Sequence, residues 1–169
     1  MVCTCRKTFE EDEDDETLAS ETIREISCMR LMLGRNGHPG VLAMQDVLQI
    51  DGEICMVMPK LPLNLTEATI GKALGKNKLK IAHGLLSAIA FVHMQGFMHR
   101  DIKGDNVMLT DEMQPVLIDF SIAKPCGALQ ADGAHFNPAS IAAHTGNIGT
   151  AKYIAPEVYH GETCECRGR

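Results

Sequence analysis

Three features of the sequence predict an α+β fold. The chain opens with a weakly alternating, strand-like run, "VCTCRKTF". A helix-period segment and an apolar hairpin follow it. The second part is mostly helical, with two short strand-like runs near its middle.

The elements follow in order. "VCTCRKTF", residues 2–9, reads as a strand, and the acidic run "EEDEDDE", Glu10 to Glu16, reads as a solvated loop or helix approach. In "LASETIREISCMRLML" the apolar residues Leu18, Ile23, Ile26, Met29 and Leu33 recur near the helical period. "GRNGHPG" ends that helix with Gly34, Gly37 and Pro39. "VLAMQDVLQIDGEICMVMP" reads as a hairpin, because Asp51-Gly52 stands between two apolar runs. "KLPLNL" reads as a connector. "KLKIAHGLLSAIAFVHMQG" reads as a second helix with Ile81, Leu85, Ile89 and Val92 on one face and Gly96 as its stop. "NVMLT" and "PVLIDF" are strand-like runs around the turn "DEMQ". After Phe120 the chain reads as irregular as far as "NIGTAKYIAPE".

Composition narrows the class. A chain of 169 residues suggests one domain, and 45% hydrophobic residues suffice for a core. Aromatics make up only 4% and Trp is absent, so the core must rest on aliphatic residues and on some of the ten Met. A net charge of −6 and a pI near 5.6 speak against a general nucleic-acid or anionic-membrane binder. The seven Cys are scattered; Cys3/Cys5 and Cys164/Cys166 form C-x-C pairs without C-x-x-C metal spacing, so reduced intracellular thiols are expected. "LLSAIAFV" is too short to span a bilayer, and no secretory signal is visible. The expected location is intracellular, cytoplasmic or nuclear.

Chemistry concentrates in "FMHRDIKGDNVMLT", residues 97–110. Its His, Arg, Asp, Lys and Asn would each need a partner in a core. Asp101 is an acceptor able to orient a hydroxyl and take its proton. Lys103 is a compact charge suited to a phosphate. Asn106 and Asp119 carry oxygen ligands of the kind Mg²⁺ prefers. Singly these residues say little, since an Asp in a loop is more often a turn former than a base.

Together they say more. "HRDIKGDN" resembles the catalytic loop of eukaryotic protein kinases, H-R-D-x-K-x-x-N. "IDFS" follows, with eighteen positions from Asp101 to Asp119, in the place of D-F-G. "GTAKYIAPE", residues 149–157, resembles G-T-x-x-Y-x-A-P-E. Three motifs in family order and spacing make a specific resemblance. It implies a bilobal kinase-like fold: a partial small lobe at 1–58, a hinge at 59–61 and a partial, mainly helical large lobe at 62–169.

The resemblance also implies roles. ATP and Mg²⁺ are the implied cofactors, and a protein bearing Ser or Thr is the implied substrate. Asp119 and Asn106 correspond to the metal-holding residues. "REI" makes Glu25 the ion-pairing acid of the first helix. Two basic residues on the preceding strand could meet it, Arg6 and Lys7. Lys7, eighteen residues before Glu25, has the family spacing and is preferred; a solvent-facing basic pair is the alternative. Met58 corresponds to the gatekeeper, and Pro59 to Leu61 to the hinge whose backbone meets adenine. Pro59 is tolerated where only its carbonyl is needed. Asp101 would orient the acceptor hydroxyl and Lys103 would stabilise the γ-phosphate, as in the serine/threonine subtype. Arg100 suggests control through a phosphorylated activation segment by an activating kinase, and a regulatory subunit is a further implied partner. Thr145, twelve residues before Glu157, is the expected site, with an unmodified loop Thr as the alternative. Thr150 is expected to brace Asp101 and Lys103.

The pattern breaks in four places. Only six residues precede Lys7, so no G-x-G-x-x-G loop is present to cover the phosphates. The sequence stops soon after Glu157, where the family continues into further helices. That leaves part of the "LLSAIAFV" face uncovered and Glu157 without its arginine. Ser121 replaces the glycine of D-F-G and takes positive φ less readily. The activation segment is long, through "GALQADGAHFNPASIAAH". A kinase sequence truncated at both ends accounts for all of this. A catalytically inactive, pseudokinase-like binding module is the alternative.

Overall fold

A computed structural model describes residues 4–9, 20–33, 37–125, 150, 152–154 and 156. Thr145, Glu157, the acidic run and the terminal C-x-C pair at Cys164/Cys166 lie outside the described residues, as does Cys3.

The first part is a three-stranded antiparallel sheet with a helix. The strands are β1 (Thr4–Phe9), β2 (Asp46–Ile50) and β3 (Glu53–Pro59), in the order β1-β3-β2, and the helix is α1 (Ser20–Leu33). The hairpin turn is the expected Asp51-Gly52, with φ of +55° and +93°. That left-handed pair matches the strand twist and suits Gly at the second position. Register places Lys7 opposite Met56 and Cys5 opposite Met58. α1 buries Cys28, Met29 and Met32 in one cluster with Met56 and Met58. Unbranched Met side chains fill this aromatic-poor space.

The second part is built around α3 (Lys78–Met94). Its inner face buries Ile81, Ala88, Phe91 and Val92, and Leu85 and Ile89 are partly covered. Gly96 ends it with φ +80°. Outward, Leu79, Leu86 and Met94 stand exposed. The helix is followed by β5 (Phe97–Met98), a 3-10 turn at Gly104–Asn106, β6 (Val107–Leu109), β7 (Pro115–Leu117) and β8 (Lys124–Pro125).

Two expectations need correction. Residues 60–65 are not only a connector: β4 (Leu63–Asn64) pairs with β6, and α2 (Leu65–Ile70) starts within that stretch. The sequence signal was N-L-T-E. Asn64 Oδ1 accepts the Glu67 N–H at 2.8 Å, and Glu67 Oε2 accepts the Asn64 N–H at 3.2 Å, a reciprocal capping box. The stretch after Phe120 is likewise not wholly irregular, because β8 pairs with β5.

The two parts share one core. Leu42 N–H donates to Leu117 O at 3.0 Å, and Leu117 N–H donates to Gly40 O at 2.8 Å. These bonds fasten the segment after α1 to β7. Phe120 is fully buried where the parts meet, with Val92, Val107 and Leu117 in the same cluster. Burying such a side chain is worth about 1.5–3 kcal/mol, so Asp119 sits beside a firm anchor.

Candidate active site

β1 and α1 bring the first two candidates together. Lys7 Nζ donates to Glu25 Oε2 at 2.6 Å, and lies 3.9 Å from Asp119 Oδ1. The Glu25 side chain is 3% exposed and that of Lys7 40%. Burial pushes the Glu25 carboxyl up; Lys7 and the backbone N–H of Phe120 pull it down without cancelling the rise. Glu25 therefore joins β1, α1 and the segment after β7 at one point.

The 97–110 loop forms the second cluster. The Asp101 carboxylate accepts four hydrogen bonds. Oδ2 receives Lys103 Nζ at 2.6 Å and Asn106 Nδ2 at 2.8 Å, and Oδ1 receives Thr150 Oγ1 at 3.0 Å and Thr150 N–H at 3.2 Å. Thr150 Oγ1 also accepts from Lys103 Nζ at 2.8 Å. One hydroxyl thus donates to the carboxylate and accepts from the lysine. Burial pushes Asp101 up, but the bonds from Lys103 and Thr150 outweigh it and hold the carboxyl below its ordinary value. The bond to Asp101 in turn raises Lys103, which stays a cation. Gly104 has a spatial reason to be Gly, since a Cβ there would collide with Thr66 Oγ1 at the start of α2.

His99 supports the cluster from below and did not figure among the expected site residues. It is buried; its Nε2 bonds Ile118 O at 2.8 Å and its Nδ1 accepts the Asp101 N–H at 3.3 Å. That pattern requires the neutral tautomer with the proton on Nε2, and burial lowers the pKa accordingly. The ring also meets Phe120 edge-on, with centroids 4.8 Å apart. A lone polar residue in the apolar run "FMH" was the available signal.

Asn106 spends both amide hydrogens, one on Asp101 O at 2.9 Å and one on Asp101 Oδ2. Its Oδ1 is left as the atom able to meet a cation. Asp119 offers carboxylate oxygens, with its side chain 36% exposed. This pair of hard oxygen donors fits Mg²⁺, which takes few protein ligands and completes its shell with water and phosphate oxygens. No cluster of three or more His, Cys, Asp or Glu suited to a metal occurs among the described residues.

Arg100 and Asp119 adopt left-handed φ of +71° and +63°, as Asp51, Lys72 and Met113 do outside the site. Ser121 does not share this conformation, so the concern raised by its replacing Gly does not apply to this arrangement: the strained position is Asp119. Met58 is buried, Leu61 is half-buried, and β3 runs through Pro59.

Comparisons with known proteins establish the family. The family model of the protein kinase domain matches residues 2–166. The chain belongs to the protein kinase family. Among its relatives are a probable CTD kinase subunit alpha homolog of Encephalitozoon cuniculi and a serine/threonine-protein kinase of human herpesvirus 2. The first is 27% identical over 89% of this chain and 41% of the relative, and the second 32% over 78% and 26%. CBL-interacting protein kinase 16 of Oryza sativa is 30% identical over 85% of this chain and 29% of its own length. The chain thus spans between about a quarter and less than half of these kinases. No described helix is long and apolar enough to cross a membrane.

Proposed function

We infer that this chain carries the catalytic centre of a serine/threonine protein kinase, which transfers the γ-phosphate of ATP to a protein hydroxyl. The supporting observation is the closed Lys7–Glu25 pair with Asp119 3.9 Å from the same ammonium. Residues separated by 18 and 112 positions converge there, in the arrangement a bound triphosphate and its metal would require.

In this reading Lys7 binds the α- and β-phosphates and Glu25 holds it in place. Asn106 Oδ1 and the Asp119 carboxylate would hold Mg²⁺, which when bound neutralises charge on the phosphates. Met58 and Pro59 to Leu61 line the adenine side. Asp101 orients the substrate hydroxyl. Its lowered pKa makes it a weak base, which suffices where the transferring phosphoryl is loosely bonded and positioning dominates. Lys103 places a charge beside the reacting oxygens. Thr150 ties both to the activation segment, and Thr145 is the expected phosphate acceptor there, with Arg100 as its binding partner. The division into a small-lobe part at 1–58, a hinge at 59–61 and a large-lobe part at 62–169 belongs to the same reading. So do a Ser/Thr-bearing protein substrate and an activating kinase. A regulatory subunit is suggested by the relative named as a kinase subunit.

Melting of the purified protein with and without Mg-ATP, beside Asp119→Ala, tests the reading. A magnesium-dependent rise that the variant loses is expected, since a ligand of the folded state stabilises it. Phosphate transfer to a generic Ser/Thr peptide should then fall by about 10²–10⁴-fold in Asp101→Ala. Equal transfer by both proteins would reject the enzyme. A clean melt indifferent to Mg-ATP would favour a pseudokinase-like binding module.

A further inference from the structure

Two adjacent side chains of α1 bear on one turn. The Phe120 N–H acts on the Glu25 carboxyl, drawing its pKa down. Arg24 Nη1 donates to Ser121 O at 3.2 Å, across 97 positions of sequence. The Ser121 N–H points back to Asp119 Oδ1 at 3.4 Å. Asp119 itself is left-handed, a conformation its side chain supports locally through the Ser121 N–H.

Successive helical residues diverge by about 100°, so α1 holds the turn from two sides. Glu25 is already committed to Lys7. Arg24 has no such duty in the site, is exposed, and brings a planar, permanently charged donor group to a backbone carbonyl. That carbonyl belongs to the residue whose N–H faces the Asp119 carboxylate. Losing the Arg24 contact frees the peptide after Ser121 and loosens the aim of that N–H.

We propose that Arg24 is a positioning residue: its bond to the Ser121 carbonyl fixes the 119–121 turn and so sets the direction of the Asp119 carboxylate. The proposal rests on the reading of Asp119 as a Mg²⁺ ligand, and it makes the placing of α1 and the affinity for metal one variable. An Arg here orients the acid without touching metal or nucleotide.

The test uses the purified protein, Arg24→Ala and Arg24→Lys. ADP affinity is measured with and without Mg²⁺ by calorimetry, and amide exchange at residues 120–123 is followed in the nucleotide-free protein. Arg24→Ala is expected to keep its melting temperature and its Mg-free ADP affinity. The Mg²⁺ enhancement of ADP binding should fall about three- to tenfold, the range for one solvent-accessible charge-assisted bond. The Ser121 amide should exchange faster, and Arg24→Lys should recover part of both effects. Unchanged enhancement with unchanged exchange overturns the proposal. A lower melting temperature with ADP binding weakened equally, with and without Mg²⁺, also overturns it, because that marks a merely structural role. If the unmodified protein shows no Mg²⁺-dependent ADP binding, the kinase reading fails instead, and faster exchange at Ser121 in Arg24→Ala still decides whether Arg24 holds the turn.

Discussion

Glu25 and Asp101 each face a lysine ammonium at 2.6 Å, yet their carboxyls move in opposite directions. Glu25 is raised by burial, and its two partners do not make up the loss of water. Asp101 is lowered, because the bonds from Lys103 and Thr150 outweigh the burial it suffers. One close cation does not fix the state of a carboxylate. The number of donors set against the depth of burial does. The two sites are also assembled differently. Asp101, Lys103 and Asn106 come from six consecutive positions, so most of the cluster follows from one loop. The Lys7–Glu25 pair exists only if β1 and α1 dock.

The largest expected effect breaks the deeper site. Lys7→Ala leaves the Glu25 carboxylate buried without the ammonium that faces it. A lost partner in a buried pair costs several kcal/mol; with Lys7 part-exposed, about 1–3 kcal/mol is expected. The sign with pH is fixed by the direction of the shift. A carboxyl raised in the folded state contributes stability below its unfolded value and loses it as pH rises through the folded one. Removing Lys7 takes away a lowering influence and widens that window upward. Urea denaturation of both proteins at pH 5 and pH 8 should therefore show the larger deficit at pH 8. An equal or larger deficit at pH 5 would mean that burial does not govern Glu25.

The converse experiment sharpens the comparison at Asp101. Thr150→Val removes the hydroxyl that donates to Asp101 and accepts from Lys103, while the Thr150 N–H remains. About 1 kcal/mol of stability should be lost at pH 7, with Asp101 moving back towards the ordinary carboxylate range. A lowered carboxyl contributes stability above its unfolded value and loses it as pH falls through the folded one. The deficit should consequently shrink on acidification towards about pH 3, in the same direction as at Glu25 but in a lower pH window, because Asp101 is lowered and Glu25 raised. A deficit that grew in acid would show that the hydroxyl does not help hold the charge.

What the sequence disclosed divides along the same line. The loop with Asp101, Lys103 and Asn106 was legible because its chemistry is contiguous and its motif specific. The Asp51-Gly52 turn and the inner face of α3 were legible because turn conformation and helical period are local. The capping box at Asn64 and Glu67 is equally local, but Pro59 and Pro62 just before it make the stretch read as a connector. β5 and β8 gave no signal: two-residue strands exist only because each finds the other. Arg24 is similar. It reads as one exposed charge on a helix, and its bond to Ser121 depends on a fold that brings residues 97 apart into contact.

Ser121 gives the smallest and most discriminating prediction, since its turn lies between the two carboxylates. Motif reading makes Ser at this position a strained substitute for Gly. In the structure the left-handed residue is Asp119, and the groups of Ser121 that bond Asp119 and Arg24 are its backbone N–H and carbonyl. Glycine would relieve no strain there. It would enlarge the freedom of the unfolded chain, so Ser121→Gly is expected to lower stability by about 0.4–1 kcal/mol in urea denaturation. A gain would locate the strain at residue 121 after all, and the turn joining the two sites would then be held in place against the preference of its own serine.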